Sequence, residues 1–186
     1  MRYIVGLLLG IGLIVLTFIL IFKAFSGGSD APKDKAIDLN DYATTSAIVR
    51  YTIDGVTNAD QIHNKIRITV SQDTILYEQI QGYEGKLINS KTYPNNSQSY
   101  GTFLRSLDLA GFDNGKDEFD DDERGYCATG KRYVYEALDG GDTLIRWWGT
   151  SCSKAIGSFE GNSSNVRTLF QRQVPDYSKL SSGVRL

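Results

Sequence analysis

Histidine occurs once in this chain, at position 63, and that scarcity removes most of the common nucleophilic and metal chemistries. Any Ser-His-Asp or Cys-His site must be built on His63. That residue sits in the polar stretch Gln61-Ile62-His63-Asn64-Lys65 and reads as a solvated turn residue. No His/Cys cluster has zinc spacing, there is no C-x-x-C, and no glycine-rich phosphate loop is present. Net charge is also small: 20 basic against 22 acidic side chains give −2. Such a balance leaves no electrostatic footprint for nucleic acid and no polybasic membrane patch. Ser151-Cys152-Ser153-Lys154 has the S-x-x-K form of a serine–lysine site, but its S-D-N and K-T-G companions are missing. No cofactor is implied, and the expectation is a protein that is not an enzyme.

What the chain does have is a long apolar run. Residues 3–22, YIVGLLLGIGLIVLTFILIF, carry no charged side chain. At about 1.5 Å per helical residue the run spans roughly 30 Å, the thickness of a bilayer's hydrocarbon. It exceeds the usual signal-peptide core of about 7–15 residues, and its one small-residue site, Ala24-Phe25-Ser26, follows Lys23. Residues 1–25 therefore read as a retained transmembrane anchor, with a cleaved signal peptide as the competing reading. No cysteine directly follows the run, which excludes a lipoprotein signal, and no glutamate lies near its start, which sets aside a type IV pilin. Gly6 and Gly10 have the G-x-x-x-G spacing that permits self-association in a membrane, though glycine is common in such helices anyway. Arg2 on one flank and Lys23, Lys33 and Lys35 on the other leave orientation open. Residues 26–35 read as a flexible linker, 36–178 as one domain, and 179–186 as a frayed tail.

Within the domain, 47–54, 66–70, 73–80 and 86–93 have the β-branched or alternating character of strands, with Ile66, Ile68 and Val70 on one face. They predict an antiparallel meander with one buried face. Tyr100, Phe103, Leu104 and Leu107 then recur at helical spacing, with Asn96 or Ser97 as cap and Gly111 as terminator. A hairpin over 132–138 and 143–149 turns at Gly140-Gly141, and a second helix carries Val166, Leu169, Phe170 and Val174, stopped by Pro175. The predicted class is α+β: an anchor, then an antiparallel sheet with two packed helices in the order β-β-β-β-α-β-β-α.

Cys127 and Cys152 accommodate either one disulfide or two buried thiols. With Gly140 and Gly141 as the loop, the two fall nearly opposite each other past the strand ends, which favours a bridge clamping the hairpin. A bridge places the domain in an oxidising compartment, with the amino terminus inside and the domain outside. In the same register Tyr133 faces Trp148 and Tyr135 faces Arg146, all on one side, with Val134, Ile145 and Trp147 on the other. If the first side is exposed, Tyr133, Tyr135, Arg146 and Trp148 are candidate binding residues; the alternative is a cation–π ladder that stiffens the hairpin. The acidic stretch 113–123 fails the EF-hand register. It reads as a solvated loop, and Asp117, Asp120, Asp122 and Glu123 are the ligands if calcium binds. Asn95 and Asn162 head glycosylation sequons but also stand where helices begin.

IRITVSQDTILYEQIQGYEG, YGTFLRSLDLAGF, GYCATGKRYVYE, RWWGTSC and VRTLFQRQVPDY resemble signal-anchored extracytoplasmic proteins of candidate-phyla (Saccharibacteria-like) bacteria. That family carries no assigned activity, and the resemblance implies the same layout and cysteine pair. In element order, ending its first helix at Ala110-Gly111-Phe112, the chain is also similar to emfourin-like peptidase inhibitors. The anchor, the cysteine pair and the long first strands depart from that pattern. The expected function is an anchored, extracytoplasmic binding module whose partner is an envelope or surface protein; the alternative is a peptidase inhibitor.

Overall fold

Side chains alternate across a strand, and on β1, Ile48–Asp54, that alternation separates two different surfaces. Val49, Tyr51 and Ile53 point one way, and Arg50, Thr52 and Asp54 the other. The computed structural model describes residues 37–116, 122–152 and 157–186, of which Ile37–Leu186 form one compact unit. The expected anchor and linker, with Gly6 and Gly10, lie outside the described residues. Among the described residues no helix is long and apolar enough to cross a membrane.

β2 (Asn64–Val70), β3 (Thr74–Gln81) and β4 (Lys86–Pro94) follow β1 as the expected antiparallel meander. The hairpin of β5 (Arg132–Asp139) and β6 (Asp142–Thr150) joins the same sheet on the other side of β1, giving the order β4-β3-β2-β1-β5-β6. One face carries a rung of Tyr77, Ile68, Tyr51, Tyr135 and Trp147 across five strands. Two helices cover it: α1, Ser97–Leu109, and α2, Ser163–Gln173. Phe170 is the keystone, with ring centroids 5.5 Å from Tyr51, 5.2 Å from Phe103 and 6.0 Å from Phe112.

The helix ends follow from their capping residues. Asn96 and Asn162 each accept a hydrogen bond from the backbone N–H three residues on, so the asparagine of the second sequon is an N-cap, while that of the first, Asn95, stands one residue before the cap and donates from Nδ2 to the Ser71 carbonyl at 2.6 Å. At the end of α1, Gly111 has φ 72°, and Phe112 N–H donates to the Leu107 carbonyl. This closes a Schellman turn, with Phe112 and Leu107 both buried.

The tail is not frayed. Residues Tyr177–Ser181 form a short helix, α3, and Leu180, Val184 and Leu186 pack against the core. The Leu180 carbonyl accepts from the Tyr77 hydroxyl at 3.2 Å, and the Arg185 carbonyl accepts from Asn64 Nδ2 at 3.2 Å. Apolar residues spaced along SKLSSGVRL are what allow the tail to dock.

On the second face, charged rungs cross the strands: Arg67 with Glu78 at 4.0 Å, and Glu136 between Arg50 and Arg146 at 3.6 Å each. The chain leaving α1 pairs Gly115 with Phe159, and residues 122–131, which lead into β5, form a loop over this face. Tyr126 there packs on Trp148 at 4.8 Å, which is why Val134 and Trp148 are buried on a face without helices.

Burial raises Tyr51 and Tyr100 well above the ordinary tyrosine value and pushes Tyr77 and Tyr135 up to about 12. Below pH 10 these phenols are neutral in folded and unfolded chains alike and cost nothing. Above it the unfolded chain ionises them while the fold holds them protonated, so stability falls as pH rises from about 10 to about 12. In an alkaline titration their tyrosinate absorbance should therefore rise together with loss of circular dichroism. Ionisation of all tyrosines near pH 10 in a protein still folded would contradict this packing.

Candidate functional site

The buried charges of the second face converge on Asp54, the last residue of β1. Its partner across the sheet is Arg132, the first residue of β5. Arg132 donates to Asp54 Oδ1 at 3.0 Å, to the Gly55 carbonyl at 2.8 Å and to Thr57 Oγ1 at 2.9 Å. Lys65, opposite Asp54 on β2, brings Nζ to 3.0 Å from Oδ2. The guanidinium thus holds both the carboxylate and the turn that follows it.

His63 completes the cluster and is buried, contrary to the solvated turn that its polar neighbours suggest. The Val56 carbonyl, which can only accept, lies 3.1 Å from Nδ1 and assigns that nitrogen the proton. Nε2 stands 2.8 Å from Asp54 Oδ1 without making a hydrogen bond of good geometry to it. The Tyr83 ring covers the imidazole, centroids 4.2 Å apart and nearly parallel. Tyr83 is itself fastened at both ends: its hydroxyl donates to the Asn58 carbonyl at 2.9 Å and its N–H to Asp60 Oδ1 at 2.6 Å. Gly82, at φ 75°, is required here, since a Cβ would stand 2.8 Å from that same Asp60 oxygen.

These bonds tie the loop 55–63 to the β3–β4 turn and display apolar side chains at one end of the sheet. Ile62 (60% exposed), Leu87 (53%), Tyr83 (50%) and Ile88 (45%) are four of the six large apolar residues that face solvent among the described residues. Leu87 is paired with buried Ile80, and Ile88 is the extra residue where the β3–β4 register shifts. These apolar groups are held outward on a braced support rather than collapsed inward.

The residues singled out in the hairpin do not form one surface. A register shift between Ala137 and Leu138 places Tyr133 opposite Gly149, Val134 opposite Trp148, and Tyr135 opposite Trp147. Tyr133 and Tyr135 therefore share the helix-covered face, Arg146 and Trp148 the other, and Tyr135 and Trp148 are fully buried. Arg146 reaches Glu123 at 2.7 Å, which anchors the crossing loop. Asp122 is gripped by Arg124 at 2.6–2.9 Å and held down to about 2 by those bonds. Of the acidic candidates, Asp117 and Asp120 lie outside the described residues, while Asp122 and Glu123 are committed to arginines. No group of three or more histidine, cysteine or carboxylate side chains suited to a metal occurs among the described residues. Cys127 and Cys152 form a disulfide, Cα atoms 5.8 Å apart, that ties the crossing loop to the end of β6.

Neither a protein-family model nor a curated protein matches the chain.

Removing the Asp54 carboxylate strands the Arg132 charge in the interior. Asp54→Ala should cost about 3–5 kcal/mol, whereas Lys65→Ala, on a side chain 23% exposed, should cost under about 1 kcal/mol. Urea unfolding of both variants checks this, and equal losses would show that the cluster does not depend on Asp54.

Proposed function

We propose that this protein is a non-enzymatic binding module, held outside the cytoplasmic membrane by a helix over residues 3–22, that captures an envelope or cell-surface protein. The observation that carries the reading is the apolar end of the sheet, Ile62, Tyr83, Leu87 and Ile88, held exposed by a buried ionic cluster. A polar, solvated turn would need no such support. Buried charges are expensive, and here they fix the two segments that present the apolar side chains. The Cys127–Cys152 disulfide supports the placement, because such bonds persist in oxidising compartments.

The contact is tested by a photo-crosslinker placed beside Tyr83 in the full-length, membrane-borne protein. Tyr83→Ala with Leu87→Asp should lower partner capture by roughly 30-fold or more, the loss of a central anchor of about 2 kcal/mol. Leu109→Asp, at an exposed site on α1, should leave capture unchanged. Equal capture by all three proteins would remove the apolar end as the contact.

Placement is tested separately. In protein from its native envelope, both cysteines should react with a maleimide after denaturation only if first reduced. Labelling without reduction would place the domain in a reducing compartment.

A further inference from the structure

Glycines 149, 157 and 161 line a cleft of about 190 Å³ between the β5–β6 hairpin and the start of α2, and the fold explains two of them. A Cβ on Gly157 would stand 2.5 Å from the Trp148 carbonyl oxygen, and one on Gly161 would stand 2.1 Å from that of Gly111. Gly149 is different. It lies within β6 opposite Tyr133, and its φ is not in the left-handed region. No atom of the described residues lies within 4 Å of where its Cβ would stand. Neither backbone conformation nor packing calls for glycine there, although glycine weakens a strand. Such a glycine marks a bulge, or the close approach of another backbone or of a ligand. The hairpin's register shift is elsewhere, at Ala137–Leu138, and the open Cβ position has no backbone beside it. A ligand is the remaining reason.

Two half-buried rings, Tyr133 and Phe159, line the same cleft, and each is backed by a buried one. Tyr133 lies nearly parallel to Tyr51 with centroids 6.3 Å apart, and Phe159 stacks on Tyr135 at 3.9 Å. Both platforms are thereby set before a ligand arrives, which lowers the ordering cost of binding. Ser163, the first residue of α2, adds a hydroxyl. That group shares a hydrogen bond with the Tyr135 hydroxyl at 2.7 Å and retains the capacity for another. Among the described residues that line the cleft, none is charged.

That lining selects a chemistry. An ionic ligand would meet no counter-charge there, and a wholly apolar one would cover the Ser163 hydroxyl without bonding to it. A pyranose meets both constraints. Its ring C–H bonds, polarised by the neighbouring oxygens, suit the negative face of an aromatic ring, and its hydroxyls lie around the edge. The volume is below the roughly 300 Å³ at which drug-sized pockets begin, so it admits a single ring. We infer that this cleft binds one neutral sugar residue, with a C–H face on the Tyr133 or Phe159 ring, a hydroxyl toward Ser163, and its body over the bare backbone of Gly149. The hairpin and the apolar end lie on opposite sides of β1, and this assignment does not depend on the protein contact proposed there.

Saturation-transfer NMR on the full chain, in a detergent without a sugar headgroup, tests this with the methyl glycosides of glucose, galactose, mannose and N-acetylglucosamine. At least one should receive saturation at its ring protons. Uracil, neutral but without an aliphatic ring, should receive none. Gly149→Val suits a strand and enters open space, so its melting temperature should equal or exceed the parent's while the transfer disappears. Tyr133→Leu removes one platform and should weaken binding about fivefold or more. Transfer to a trisaccharide of the same sugar makes a glycan chain the source, and transfer to the glycoside alone makes it a free sugar; either supports the assignment. Silence from all four glycosides, equal transfer to uracil, or undiminished transfer in either variant would overturn it.

Discussion

The Asp54–Arg132 pair is the constraint on which one whole end of the molecule depends. Both residues sit at strand termini, opposite each other on adjacent strands, and both are nearly inaccessible to water. A guanidinium so placed must spend its donors within the protein, and it does so on a carboxylate, a carbonyl and a hydroxyl of the segment 54–57. The path of the chain after β1 is thereby set. It brings Val56 to His63, His63 to Tyr83, and so the β3–β4 turn to the loop before β2. Long-range order at this end comes from a chain of polar contacts rather than from apolar packing.

The two faces of the sheet follow different rules. The helix-covered face is a continuous core of aliphatic and aromatic rungs, closed by Phe170 and by the docked tail. Its opposite uses charge pairs laid across strands, which tolerate partial exposure where an apolar rung would not. Toward β6 that face becomes apolar, and there the crossing loop lies over it, held by Arg146–Glu123, by Tyr126 on Trp148, and by the disulfide. Gly115 lets this loop turn past the sheet edge: a Cβ would stand 2.2 Å from the Trp147 ring. The disulfide is therefore a fastening for a cover rather than for the hairpin alone.

Much of the layout was legible in the sequence because its signals are local. Period-two alternation marks IRITV, helical spacing marks Tyr100 to Leu107, and asparagines mark both helix starts. What escaped was set by contacts distant in the chain. The Gly140-Gly141 turn names the hairpin, but the extra residue near Ala137 shifts its register by one, and one step moves every side chain to the other face. That single step separates Tyr135 from Arg146. His63 looks solvated among Gln61, Asn64 and Lys65, and nothing nearby announces that Asp54 and Tyr83 will enclose it.

Strand β4 shows how an exposed edge can be both guarded and usable. An unpaired edge invites indiscriminate strand addition, and proteins blunt it with lysine, proline and bulges. All three occur here: Lys91, held to Asp176 at 2.5 Å, Pro94 at the strand's end, and the register shift at Gln79–Ile80. Tyr93 adds a hydrogen bond to the same Asp176, so the guarded half of the strand is also tied to the start of α3. The other half, beyond the bulge, carries Leu87 and Ile88 next to the braced Tyr83. A bulge at that point breaks the regular ladder that an arbitrary strand would need, while leaving apolar side chains to be buried by a surface of complementary shape. On the proposed function, the combination disfavours pairing through backbone alone and favours recognition through side chains, which is the requirement for a selective contact on an otherwise open sheet.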